Sequence, residues 1–267
     1  MRPLVYRWMG RVPYGRALAL QEALVAARRR GEAPDTLLLL EHPPVITIGR
    51  GGDPSHVLFD AAERARRGVE LYETGRGGDV TYHGPGQLVG YPIFDLRGNL
   101  RGFPTPEGPR KTLGAVEFVR RLEEVLIRTC ADFGIGARRV PGRTGVWTEQ
   151  NDAKVAAIGV HISRGVTSHG FALNVATDLE AFELIVPCGI ADKSVTSLGR
   201  ELGNVPALNK VAESAARNFG AVFQSQILWV ETLEVLLGER IGVPMKPPAE
   251  LRQMHGEAMR GEEETLA

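Results

Sequence analysis

Between residues 37 and 175 the sequence is a succession of short β-rich runs closed by glycine or proline, with one long amphipathic stretch among them. That punctuation asks for sheets covered by helices. Residues 37–41 and 45–48 are aliphatic runs parted by Pro43-Pro44 and read as strands; 69–73 and the buried run 87–96 are two more. Segments 144–148, 154–162 and 170–175 read as an antiparallel meander, whereas the Gly-rich stretch 74–87 reads as loop throughout. Helical spacing marks 14–30, where Arg28-Arg29-Arg30 precede Gly31 as a stop signal, and 112–133, closed by Gly134. Segments 178–183, 207–223 and 228–238 also read as helical. The expected architecture is α/β (α+β), with mixed, largely antiparallel sheets flanked by helices. Residues 1–242 are expected to form a single domain, and 243–267, Pro-rich and then charged, a loosely held tail.

Overall composition excludes several classes of function. A chain of 267 residues hides roughly 70–75% of its unfolded surface, so a large core is available. Basic and acidic side chains balance at 32 each, and no global field recruits nucleic acid or an anionic membrane. Two cysteines exclude a disulfide framework and a cysteine-rich zinc site. No His-rich metal spacing is present, and no metal or other cofactor is expected. Neither a signal-type apolar core nor a membrane-length apolar run appears, so a reduced, cytoplasmic protein is expected.

Chemistry concentrates in three places. Cys188 lies in Ile185-Val186-Pro187-Cys188-Gly189-Ile190, and flanking proline and glycine suit a loop rather than an element interior. A thiol on such a loop can be reached, and neighbouring N–H groups can face a developing oxyanion. Cys130, on a helical segment, reads instead as simple packing. Lys154 is one of five lysines among 32 basic residues and opens an otherwise apolar strand. A solvated strand start is its plain reading; a partly desolvated lysine can trade a proton with a thiol. The third place is Arg76-Gly77-Gly78-Asp79-Val80-Thr81-Tyr82-His83-Gly84-Pro85-Gly86-Gln87. It fits neither a P-loop nor a Rossmann fingerprint, yet carries many functional side chains for a passive turn. His83 and His169 are rival bases for a Cys–His pair.

Together with Gly145-Val146-Trp147, Lys154-Val155-Ala156-Ala157-Ile158-Gly159 and His169-Gly170-Phe171-Ala172-Leu173-Asn174, these segments resemble the lipoyl(octanoyl) transferase family, of biotin/lipoate protein ligase-like fold. The resemblance runs from about residue 36 to 200. Asp79 stands where a glutamine or similar residue is expected, and the loop 97–111 is longer than the minimum. The resemblance makes residues 1–242 a catalytic domain. It implies Cys188 as acyl-thioester nucleophile and Lys154 as the residue that lowers the thiol pKa and shuttles protons. It implies contact with the acyl chain from Arg76, Gly77, Gly78, Asp79, Val80, Thr81, Tyr82 and His83, from Ala157, Ile158 and Gly159, and from Gly170, Phe171 and Ala172.

The implied donor is octanoyl-acyl carrier protein. The implied acceptors are lysines on lipoyl domains of 2-oxoacid dehydrogenase E2 subunits and on the glycine cleavage H protein. Arg97, Arg101, Arg110 and Lys111 offer a cluster that could steer an acidic carrier, or a solvated surface loop. Competing readings are an ATP-dependent lipoate or biotin protein ligase, a non-catalytic lipoyl-domain-binding protein and a Cys–His hydrolase. The first two leave Pro187-Cys188-Gly189 unexplained.

Overall fold

The computed structural model describes residues 2–97, 108, 111–186 and 194–230. In chain order the strands are β1 (Arg2–Arg11), β2 (Asp35–Glu41), β3 (Val45–Ile48), β4 (Glu70–Glu73), β5 (Val80–His83), β6 (Gln87–Ile93), β7 (Ala137–Val140), β8 (Arg143–Thr148), β9 (Lys154–Ser163), β10 (Val166–Asn174) and β11 (Ser225–Trp229). The helices are α1 (Tyr14–Arg30), α2 (Ala61–Arg67), α3 (Ala115–Asp132), α4 (Leu198–Leu202) and α5 (Leu208–Phe223). Eight strands form one sheet in the order β11-β1-β2-β6-β10-β9-β8-β7, and β4-β3-β5 form a smaller one. Pairing is parallel at β11-β1, β1-β2 and β4-β3 and antiparallel elsewhere, a mixed and largely antiparallel arrangement.

Alternation along β2 separates two cores. Leu37 and Leu39 face Phe118, Leu122 and Leu126 of α3 and Phe219 and Phe223 of α5. Leu38 and Leu40 face Ala17, Leu20 and Leu24 of α1, together with Val89 and Tyr91. A third cluster joins the small sheet, through Ile46, Ile48, Val80 and Tyr82, to Phe182, Leu184 and Ile185. Gly31 ends α1 in the left-handed conformation at φ 76°, which a glycine adopts at no steric cost.

Several elements differ from the pattern expected from sequence. Val80–His83 is a strand inside the expected loop, antiparallel to β3 and buried at all four positions. β1 was hidden by its composition: Leu4 to Trp8 is buried throughout, including Arg7, whose Nη1 donates to the Val230 carbonyl at 3.3 Å. A buried arginine breaks the apolar run that would announce such a strand. Residues 225–229 form β11 rather than helix, and the remainder of the expected helix 228–238, from 231 onward, lies outside the described residues, as does the tail. The expected helix 178–183 is a 3₁₀ helix, Glu180–Leu184. α2 carries its own signals: the Asp60 side chain caps it by accepting from the Glu63 N–H, and Gly68 stops it.

Candidate active site

A cavity of about 220 Å³ opens between the two sheets. Its floor follows from the register of β9 and β10, which sets Gly170 opposite Gly159 and Ala172 opposite Ala157. Four small residues thus leave a strip of sheet without long side chains, and all four line the cavity with Ile158 and Phe171. The glycines are required. A Cβ on Gly159 would stand 2.7 Å from the Gly77 carbonyl oxygen, and one on Gly170 would stand 2.1 Å from that of Gly90.

The facing wall is the start of the Gly-rich segment. Arg76 is buried and tied to β3: its Nε donates to Thr47 Oγ1 at 3.0 Å and its Nη2 to the Thr47 carbonyl at 2.6 Å. Gly77 N–H donates to the Val160 carbonyl at 2.9 Å, fastening this segment to β9. Gly78 turns the chain at φ 86°, a conformation that L side chains rarely adopt. Along β5 the side chains alternate: Thr81 and His83 line the cavity, whereas Val80 and Tyr82 pack into the small-sheet core. Asp79 also lies outside the lining, its carboxylate 2.6 Å from His56 Nδ1.

One end of the cavity is polar, and its two histidines, but not its two tyrosines, were announced by sequence. Tyr14, at the start of α1, lines it with Tyr91, His83 and His169. His83 Nδ1 lies 2.7 Å from Gln87 Oε1. The Gln87 amide nitrogen donates to the Tyr82 carbonyl and to Asn174 Oδ1, so its oxygen must face His83 and the imidazole donates through Nδ1. The Nε2 lone pair is left for another partner. Burial, with neighbouring His42, lowers the His83 pKa to about 3. His169 is lowered to about 4 by burial and by Arg76. It also sits at φ 54°, its N–H held by Gln21 Oε1 at 2.7 Å. Behind them His42, lowered by burial to about 4, donates from Nδ1 to the Val12 carbonyl and accepts from the Tyr91 hydroxyl at 2.7 Å. At neutral pH all three imidazoles are uncharged.

Lys154 joins the cavity at the start of β9. Its main chain is gripped on both sides: its N–H donates to the Ser194 carbonyl at 2.9 Å, and its carbonyl accepts from Thr196 N–H at 3.0 Å. Thr196 in turn accepts, at its carbonyl, from the Asn174 amide at 3.0 Å. A string of oriented hydrogen bonds therefore links His83, Gln87, Asn174 and Thr196 to the Lys154 backbone. The side chain passes over Gly145, where a Cβ would come 2.8 Å from Lys154 Cε, and its Nζ lies 5.3 Å from the centre of the Trp147 ring. Gly145 and Trp147 thus form the bed of Lys154, the ring face attracting its cationic form.

Residues 13–220 match the lipoyl protein ligase A/B catalytic domain. An octanoyltransferase of Acidobacterium capsulatum is 59% identical over 237 residues, covering 86% of this chain and 94% of that protein. One of Koribacter versatilis is 55% identical, covering 92% and 95% of the two chains. This chain belongs to the octanoyltransferase family. Among solved structures, lipoate-protein ligase A bound with ATP superposes with a TM-score of 0.66 at 15% identity, covering 88% of this chain and 92% of that one. The bi-partite lipoate protein ligase of Thermoplasma acidophilum superposes with a TM-score of 0.65 at 16% identity, covering 88% and 89%. The fold is therefore that of the lipoate protein ligases.

Of the residues expected at the site, the cavity gathers Lys154, Arg76, Gly77, Gly78, Thr81, His83, Ala157, Ile158, Gly159, Gly170, Phe171 and Ala172. Asp79, Val80 and Tyr82 point elsewhere. Cys188 lies outside the described residues, as do Arg101 and Arg110. Arg97 holds Asp95 through two nitrogens at 3.0 and 2.8 Å, so much of its charge is already matched. Cys130 is fully buried, and burial pushes its thiol up to about 12. Among the described residues no cluster of three or more His, Cys, Asp or Glu is arranged to hold a metal ion, and no helix is long and apolar enough to cross a membrane. Sequence reading missed Tyr14, Val89, Tyr91, Gly142, Arg143 and Thr144 as lining residues. The Gly142 turn was a usable signal for the last three; the tyrosines lie in runs that read as core.

Proposed function

We propose that this acyltransferase moves an octanoyl group from octanoyl-acyl carrier protein, through a thioester on Cys188, to the ε-amine of a lysine on a lipoyl domain. The acceptors are the lipoyl domains of 2-oxoacid dehydrogenase E2 subunits and the glycine cleavage H protein, and the setting is the cytoplasm. The observation that carries the reading is the glycine and alanine floor beside Lys154, in a chain 59% identical to an octanoyltransferase. Burying an alkyl chain is worth about 0.8 kcal/mol per CH₂, hence roughly 5 kcal/mol for an octanoyl tail.

The chemistry proceeds in two displacements. The Cys188 thiolate, its proton held by Lys154, attacks the donor carbonyl; a new C–S bond forms, the carrier's C–S bond breaks, and the departing sulfur takes the proton from Lys154 and leaves as a thiol. The acceptor amine then attacks the Cys188 thioester, giving an amide and returning the thiolate. Lys154 takes the proton shed by the amine and, when protonated, stabilises the thiolate. Support for Lys154 over the rival bases comes from the imidazoles. His83 and His169, at about 3 and about 4, hold a transferred proton poorly at neutral pH. Support for Cys188 comes from its sequence setting and from Lys154, whose N–H donates to the carbonyl of Ser194, six residues along the chain from Cys188. A thioester donor is already activated, so no nucleotide is needed.

The test supplies octanoyl-carrier protein and an unmodified lipoyl domain, with and without ATP. The reading expects one octanoyl group on the lipoyl domain at the same rate in both. Transfer from free octanoate that depends on ATP would replace it with the ligase reading.

A further inference from the structure

Asp79 belongs to the Gly-rich motif yet stays out of the cavity, and its contacts suggest another task. Its Oδ2 lies 2.6 Å from His56 Nδ1, and its Oδ1 accepts from Asp53 N–H at 3.1 Å. Both partners belong to the turn around the 3₁₀ helix Pro54–His56, where the Asp53 side chain caps the helix by accepting from Ser55 N–H at 2.8 Å. One carboxylate therefore clamps a short turn to the end of the small sheet, where the Asp79 carbonyl also accepts from Gly49 N–H at 3.1 Å. The clamped turn carries something in its own right. The His56 carbonyl accepts from Val186 N–H at 2.8 Å, and Leu58 N–H donates to the Leu184 carbonyl at 2.9 Å. Val57 bridges Ile185 between them.

We infer that Asp79 and His56 are positioning residues for the nucleophile: through the His56 main chain they fix Val186, from which the chain runs to Cys188. The inference rests on the proposed role of Cys188. Two peptide units limit the Val186-to-Cys188 Cα separation to about 7.6 Å, so Val186 is an anchor point close to the thiol along the chain. A misplacement near 1 Å can cost about 100-fold in rate. This task also explains why an ionised group suits the position: one carboxylate accepts from an imidazole and a main-chain N–H at once. Against an acyl chain the same charge would be costly to bury.

The experiment uses the full-length protein with Asp79→Ala, His56→Ala, the double variant and Cys188→Ser. Formation of the octanoyl-enzyme from octanoyl-coenzyme A is followed by rapid quench and intact mass over a range of donor concentrations. The expected result is a maximal acylation rate lowered about 10- to 100-fold in each single variant. The half-saturating donor concentration stays near wild type, and the double variant is no slower than the slower single. Asp79→Asn, which keeps one acceptor oxygen, recovers part of the rate. Wild-type maximal rates in both singles, or an effect confined to half-saturation, would overturn the inference; the latter would return Asp79 to the acyl chain. Should an alanine variant fail to fold, Asp79→Asn and His56→Gln carry the same comparison. Full transfer by Cys188→Ser would refute the nucleophile itself. An inactive Cys188→Ser beside unimpaired Asp79 and His56 variants would refute the positioning role alone.

Discussion

Replacing Ala157 by leucine tests the cavity floor directly. Ala157 lines the cavity and lies opposite Ala172 across the β9–β10 pair. Leucine adds three carbons where the proposed octanoyl chain would lie. If they displace about three methylenes of the substrate, the lost burial is about 2.4 kcal/mol at 0.8 kcal/mol each. At 1.4 kcal/mol per factor of ten, kcat/KM for an octanoyl donor falls about 50-fold. With the far end of the octanoyl chain taken to lie over Ala157, a donor three carbons shorter does not reach the added side chain, and its kcat/KM stays within a few-fold of wild type. The assay compares octanoyl- and pentanoyl-coenzyme A as donors to a lipoyl domain. An equal loss on both would mean general damage, and no loss on either would mean that the chain lies elsewhere; both outcomes refute the assignment.

Lys154→Met keeps an unbranched apolar stem over Gly145 and beside Trp147 but removes the amine. Transfer to the lipoyl domain should fall by about 10²–10⁴ with melting temperature little changed, and near-normal turnover would exclude Lys154 as proton carrier. Acid should unfold the protein in a defined window. His42, His83 and His169 are depressed to about 4, 3 and 4 from about 6.5 when unfolded. The unfolded chain therefore binds more protons, and stability present above about pH 6.5 is lost as pH falls toward 4, by at most about 1.4 kcal/mol per pH unit per histidine. Urea midpoints that do not move between pH 7 and 5 would contradict this. Cys130 has the opposite sign: with its thiol raised by burial to about 12 from its ordinary value of 9.0, its contribution is intact below about pH 9 and shrinks above it. Native protein at pH 8 should show no alkylation of Cys130, and rapid labelling there would contradict its burial.

The elements that sequence revealed are those whose local pattern and tertiary role agree. α1 and α3 carry their glycine stops openly, α3 and α5 their apolar faces, and β8 to β10 alternate or run apolar between turns. β5 was read as loop because glycines on both sides masked four residues whose alternation sends Thr81 and His83 to the cavity and Val80 and Tyr82 to the core. The same alternation explains why Val80 and Tyr82 do not touch the cavity, whereas Asp79 is turned away by its bonds to His56 and Asp53. A contiguous motif had been read as a contiguous contact surface, which a strand cannot provide. Gln87 and Asn174 were visible as motif residues, but their role in orienting His83 depends on a cross-strand pairing that composition does not encode. Tyr14 and Tyr91 were invisible as site residues because a lining tyrosine and a core tyrosine look alike in sequence.

The most direct test of the central claim is intact mass of wild type and Cys188→Ser after incubation with octanoyl-acyl carrier protein. The account predicts one octanoyl adduct on wild type, removable by hydroxylamine and discharged when lipoyl domain is added, and none on Cys188→Ser. Transfer to the lipoyl domain at the wild-type rate by Cys188→Ser, with no adduct on either protein, would contradict it.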